Sequence, residues 1–206
     1  MRADDLLKPV TTDAPCGEDL LAADDPDFID YYFNVEDRLP ASYFNIVRNE
    51  LFDPRSVDQR AESGQIDALL ARTRDIRLLV LDAKFQILAG RFKGFCDTVT
   101  SIAVLIETWP DQLHPTDPID RRNAIEELNS LATVASPLEY AALITDRRIG
   151  DITFRPYGTG TGKIPAREGE AKGDAAAITG ALGSSDNAAA VDALYAQVIG
   201  AEDALR

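Results

Sequence analysis

Few side chains in this sequence have the type and spacing that chemistry requires. His114 is the only histidine, so no pair of imidazoles can hold zinc, and any Ser or Cys nucleophile has a single possible base. With Asp111 or Glu139 to orient it, His114 could serve a hydrolase. Its context, Trp109-Pro110-Asp111-Gln112-Leu113-His114-Pro115, is a stiff turn between two helices. There an imidazole finds backbone groups left open at a helix end, and hydrogen bonding to them is the simpler role. Trp109 reads as a core anchor.

Gly158-Thr159-Gly160-Thr161-Gly162-Lys163 looks like a phosphate-binding loop, but its spacing fails. Such a loop needs four residues between its first Gly and the Gly-Lys pair, then Ser or Thr, then a helix. Here Gly158 is one residue too close, Ile164 follows the lysine, and Pro165 blocks a helix. The stretch reads as a surface loop whose glycines permit turns. Asp25, Asp27 and Asp30 lack the turn Gly and closing Glu of a calcium loop, which leaves a solvated acidic surface. Neither catalytic nor metal-binding nor cofactor-binding residues are assigned.

The charge pattern is more informative. Nine acids face two bases in the first 30 residues, whereas Arg72, Arg74, Arg77, Lys84, Arg91 and Lys93 face only Asp75 and Asp82. Glu18 and Asp19 are natural partners for those arginines through paired hydrogen bonds. Pairing of this kind predicts an acidic, irregular amino-terminal segment strapped onto a helical body.

The elements that position these residues are helical. Pro9, Pro15, Gly17 and Pro26 restrict the start of the chain to a short helix near 4–7 and irregular backbone. A helix opens at Asp24 or Asp25, with Pro26 at its first position and Phe28, Tyr31, Tyr32 and Val35 on one face, and ends before Pro40. Another is expected over 57–74. From Asp75, a good cap, Ile76, Leu79, Val80, Ala83, Ile87 and Leu88 recur at helical spacing, while Leu78, Leu81 and Phe85 make the other faces apolar. That helix must be central. Gly90 closes it, and Phe95, Val99, Ile102, Ala103 and Ile106 carry the antiparallel partner of a hairpin up to Trp109.

Asp117-Pro118 opens a further helix with Ile125, Leu128, Leu131, Ala132 and Ala135 on one face, and Pro137 a shorter one. The alternation over 152–157 predicts a short β-like stretch. The Ala-rich end, with Val191, Leu194, Tyr195 and Val198, predicts a helix still running at Arg206. Two readings of that end stay open, a longer protein cut here or a frayed natural terminus. The organisation expected is a helical domain over 1–157, a Gly-rich loop or linker over 158–173 and an Ala-rich helical segment over 174–206. Phe92, Phe95, Tyr43 and Phe44 fit either core or interface.

The 206 residues suit one generous domain that needs no disulfide or metal, and Cys16 and Cys96 read as cytosolic thiols. With 21 basic and 35 acidic residues the net charge is −14, so a phosphate backbone would be repelled. No apolar run approaches the roughly 18 residues of a membrane span, and the start of the chain lacks the pattern of a secretory signal. A cytoplasmic protein is expected, with neither nucleic-acid binding nor direct membrane insertion.

Three stretches together resemble a known family. They are Pro15-Cys16-Gly17-Glu18-Asp19-Leu20 with Asp27-Phe28, then Ala71-Arg72-Thr73-Arg74-Asp75-Ile76-Arg77, then Trp109 to Pro115 with Asp120-Arg121-Arg122. Their order and spacing resemble the amino-terminal domain of the TssA (ImpA-related) family of the bacterial type VI secretion system, over about 5–155. The resemblance implies an all-α domain of a non-enzymatic assembly protein. Its partners would be sheath, tube, baseplate or membrane-complex subunits of a contractile, phage-tail-like machine. It also implies that the full-length protein forms homo-oligomers through a carboxy-terminal region not present in this sequence. Pro15, Gly17, Glu18, Asp19, Arg72, Asp75, Arg77, Trp109, His114 and Pro115 are the motif residues it marks, with structural roles. The residues alone support an acidic helical domain, for which a generic helical adaptor unrelated to secretion is the alternative and a hydrolase using His114 a remote one.

Overall fold

The computed structural model describes residues 3–206. The chain is mostly helical, with two small antiparallel strand pairs. After α1 (Ala3–Leu6) the backbone is irregular up to α2 (Pro26–Asn34), whose first turn is capped by the Asp25 side chain accepting from the Phe28 N–H at 3.1 Å. Phe28, Tyr31 and Val35 are buried. Strands β1 (Phe44–Asn45) and β2 (Glu50–Leu51) form a hairpin before α3 (Gln59–Leu70), which Asp58 caps. The helix expected over 57–74 is shorter at both ends, because Asp58 caps its start and the chain at 73–75 is drawn out to bond with Gly17 and His114.

Asp75 caps α4 (Ile76–Leu88) by accepting from the Arg77 N–H at 2.8 Å. Helix α4 is apolar on every side, so it packs against several neighbours at once. Ile76, Leu78, Leu79, Val80, Leu81, Phe85, Ile87 and Leu88 are all buried. Gly90 takes a positive φ of 73° and turns the chain into α5 (Phe92–Thr108), which runs back along α4. One core cluster joins α2, α3, α4 and the far half of α5, and a second joins Ala83 and Ile87 of α4 to Phe95, Cys96 and Val99 of α5.

Asp117 caps α6 (Pro118–Glu126), but the single helix expected on to Ala135 is broken. A tight turn over Glu127–Asn129 leads to Ser130, whose hydroxyl accepts from the Thr133 N–H at 3.3 Å and starts a new, wider turn over Leu131–Ala135. That rotation buries Thr133 and Val134 and leaves Leu131 72% exposed. Helix α7 (Ser136–Tyr140) precedes β3 (Ile144–Asp146) and β4 (Gly150–Ile152), which pair as a hairpin.

The alternation over 152–157 therefore marks the end of one strand and the start of α8 (Phe154–Thr161). Phe154 faces solvent and Arg155 is buried, the reverse of the polarity a half-buried strand needs. Gly158–Thr161, expected in a loop, form the last turn of α8, which ends at Gly162 with a φ of 76°. Side chains at Gly160 or Gly173 would collide with opposing backbone, so these glycines permit close approach of two chain segments. The Ala-rich end forms two helices, α9 (Ala175–Leu182) and α10 (Ala188–Ala204), the second stopping short of Arg206. Small residues let α10 lie close along α5, with Ala201 buried in the second core cluster.

Candidate functional site

The three motif stretches, distant in sequence, meet at the amino-terminal end of α4. Just before that helix the chain is extended from Thr73 to Asp75 and bonds in strand fashion on both sides. Gly17 pairs with Thr73 on one side and His114 with Asp75 on the other. The Arg74 N–H donates to the Cys16 carbonyl at 2.7 Å, the His114 N–H to the Arg74 carbonyl at 3.0 Å, and the Ile76 N–H to the His114 carbonyl at 2.8 Å. Gly17 has a φ of 68°, and a Cβ there would run into the Arg72 carbonyl. A glycine is required on both counts.

Side chains lock this junction. Arg77 presents Nε to Asp75 Oδ1 at 2.9 Å and Nη2 to Asp75 Oδ2 at 2.5 Å, and its Nη2 also donates to Asp19 Oδ1 at 2.9 Å. Its guanidinium lies 5.4 Å from the Phe28 ring centre. Burial works to lower the Arg77 pKa, but hydrogen bonds to Asp75 and the charges of Asp75 and Asp19 outweigh it and hold the value above normal. Burial likewise acts to raise Asp19, and the Ala22 N–H together with Arg77 pulls it below the ordinary carboxylate value. Arg72 binds Asp25 and, at 3.3 Å, Asp27. So Asp19 is on Arg77 as its charge suggested, whereas Glu18 sits near Arg72 without displacing Asp25.

His114 is buried between these groups. Its Nε2 is 3.2 Å from the Gly17 carbonyl and its Nδ1 is 3.7 Å from Asp19 Oδ2. The carboxylate beside it is thus Asp19. Asp111 is exposed, and Glu139 is held at 2.9 Å by Arg155. The hydrolase arrangement imagined from sequence is not assembled. Cys16 and Cys96 are free and buried, and burial pushes both thiols up to about 11, far from the thiolate form a nucleophile needs. Among the described residues no group of three His, Cys, Asp or Glu side chains could hold a metal ion. Trp109 is half-buried against the main core, and its carbonyl accepts from the Leu113 N–H at 3.0 Å. Pro15 and Pro115 flank the junction, each with a carbonyl in use, by the Val10 N–H at 2.8 Å and by Arg121 Nε at 3.0 Å.

Two arginines matter more than sequence reasoning allowed. Arg74 is buried, and its guanidinium donates to carbonyls of Leu6 at 2.8 Å, Lys8 at 2.7 Å, Thr73 at 3.1 Å and also Leu70. It closes the ends of α1 and α3 together, without an acid among those partners. Burial lowers its pKa, although Cys16 opposes the shift. Arg121 clamps the turn below His114 by donating to Pro110 and Leu113 carbonyls, each at 2.6 Å, as well as to Pro115. An arginine paired with bare carbonyls leaves no complementary acid in the sequence to point to it.

The aromatics divide. Phe95 and Tyr43 are buried, Tyr43 with its ring 5.5 Å from that of Tyr140, while Phe92 and Phe44 are half-buried and Arg167 lies 4.0 Å over Phe44. Large apolar side chains do reach solvent elsewhere, at Ile46 (83% exposed) and Val47 (95%) on the tip of the β1–β2 hairpin. No described helix is long and apolar enough to cross a membrane.

No curated protein matches this chain. Among solved structures it is similar to the N-terminal domain, with the ImpA_N region, of the TssA component of the type VI secretion system from Burkholderia cenocepacia. That likeness has a TM-score of 0.60 at 19% identity and covers 99% of this chain and 82% of the other. At such identity it speaks to the fold. The profile of a family described as ImpA, N-terminal, type VI secretion system matches residues 7–130, more than half of the sequence and all three motif stretches. The chain belongs to the ImpA amino-terminal family of the type VI secretion system.

Proposed function

We propose that this chain is a non-enzymatic docking domain that helps assemble the contractile tail of a type VI secretion machine in the cytoplasm. It would do so by binding sheath, tube, baseplate or membrane-complex subunits. One observation carries the reading. At the junction of the three motifs, Asp19, Asp75, Arg77, Arg74 and Arg121 spend their hydrogen bonds on the chain itself, and among the described residues there no nucleophile stands beside a base. Such a network fixes shape, and a protein whose polar machinery is turned inward acts through its outer surface. The exposed Ile46 and Val47, and Ile119 on α6 at 69%, are apolar contacts available to partners.

The test is to tag the full-length gene product in its own cells and identify its crosslinks, alongside a form lacking residues 1–160. Enrichment of secretion subunits with the intact protein alone is the expected result. No enrichment in cells that are building the machine would sink the proposal.

A further inference from the structure

Beside α5 lies a second kind of surface, an open groove of about 680 Å³ bounded by the end of α1, α3, α4 and α10. Its apolar lining includes Leu7, Ile66, Leu70 and Val104, and Leu7 is 39% exposed at the edge. Asp82 and Asp97 line it, and the described residues of its lining include no lysine, arginine or histidine. Asp82 projects from α4, most of whose side chains are buried. Its carboxylate accepts from Ser63 Oγ at 3.2 Å, Gln86 Nε2 at 3.2 Å and Thr98 Oγ1 at 2.8 Å, all neutral donors, and forms no ion pair among the described residues. Asp97 meets Lys93 at 2.5 Å on an exposed helix face, a pairing weak enough for another cation to replace.

We infer that this groove receives a row of apolar side chains from a partner helix whose flanks carry lysine or arginine. An apolar trough between helices suits the helix-in-groove mode of recognition. The charge selects the occupant, because a neutral or acidic helix would cover Asp82 without supplying a cation, whereas a basic flank pairs with it at the edge of an apolar floor. The inference rests on the docking reading above and names the surface and partner chemistry for it.

The test uses the whole protein and a defined probe. The probe is a synthetic amphipathic helix of about 18 residues, roughly five turns, with leucines at i, i+3, i+4 and i+7 and flanking lysines. Its control has every lysine replaced by glutamate. Two-dimensional NMR of the labelled protein reads both place and affinity. The lysine peptide is expected to shift amides of 66–70, 97–104 and 196–200. Binding should weaken about tenfold between about 0.05 M and about 0.5 M salt, and at least about threefold in Asp82→Asn. Ala196→Trp, a substitution at an exposed helical position on the rim, should abolish binding while leaving the melting temperature near that of the parent. Equal binding of the glutamate peptide, shifts elsewhere on the acidic surface, or unchanged binding by Ala196→Trp overturns the inference.

Crosslinking in cells with Ala196→Trp separates the two proposals. Secretion subunits lost from that variant support the groove. Subunits retained remove the groove and leave the docking reading intact, and subunits absent from the unaltered protein remove the docking reading and the groove's place in it.

Discussion

Arg77→Ala is the perturbation that most directly tests how the motif stretches hold together. The side chain is 11% exposed, and its partner Asp75 is 0% exposed, so the substitution strips a cation from a carboxylate that water cannot reach. Deleting one member of a buried pair costs about 3–5 kcal/mol, mostly as the penalty on the charge left behind. Asp75 keeps the Arg77 N–H at 2.8 Å, which favours the lower half of that range, about 3–4 kcal/mol. For a chain of this length that corresponds to a fall in Tm of about 6–16 °C. Asp19→Asn provides the contrast. Asp19 is 24% exposed, and its loss leaves Arg77 fully engaged with Asp75, so about 1 kcal/mol is expected.

Both variants should speed proteolysis within residues 9–25, because Arg77 and His114 are the side chains that fasten Gly17 and Asp19 to the body. Urea unfolding followed by circular dichroism gives the energies, and limited digestion with thermolysin or proteinase K, which cut beside the apolar residues of this segment, gives the cut sites by mass spectrometry. If Arg77→Ala stays within about 1 kcal/mol of the parent with that segment still resistant, or if Asp19→Asn is equally damaging, the buried-charge argument is wrong.

Gly17→Ala should destabilise by more than about 2 kcal/mol, since positive φ and the Arg72 carbonyl both oppose a Cβ, and it should raise protease sensitivity at 9–25. Stability should fall in acid. Arg155 holds Glu170 at about 2, and Asp19 is also below its ordinary value, so both bind protons less readily folded than unfolded. Their contribution is complete above about pH 4.5 and disappears as pH drops through the folded values. Urea midpoints between pH 6 and pH 2.5 measure it, and Arg155→Met should remove the part due to Glu170. Cys16 and Cys96, with burial holding them at about 11, should react with an aromatic disulfide reagent at pH 8 only as fast as the protein opens. Rates should therefore rise with urea, and fast labelling of the native protein would contradict the burial.

Much of this architecture is written locally. Asp25-Pro26, Asp75 and Asp117-Pro118 each start a helix, because a short acidic side chain meets the open N–H groups of the first turn and proline is pre-set for it. The all-round apolar run of α4 dictated a central helix, and the opposed charges of Asp19 and Arg77 foretold that they would meet. The irregular acidic segment and the helical fold were legible for the same reason, since each depends on residues near in sequence or on a simple excess of charge.

Tertiary structure decided the rest. Arg74 and Arg121 have carbonyl oxygens as partners, and every residue offers one, so no pattern marks which will be used. Arg155 is buried only because Glu139 and Glu170 arrive from two other segments, and this turned an apparent strand over 152–157 into the start of α8. Ser130 could have continued a helix, yet its hydroxyl capped a new turn and rotated Leu131 outward. His114 illustrates the division best. Its neighbours in sequence suggested a bond to backbone left open at a helix end, whereas Nε2 sits 3.2 Å from the carbonyl of Gly17, outside any helix and 97 residues away, with Asp19 alongside. Periodicity and capping act over one or two turns of chain, whereas the contacts that give this junction its shape join residues whose proximity is created by packing.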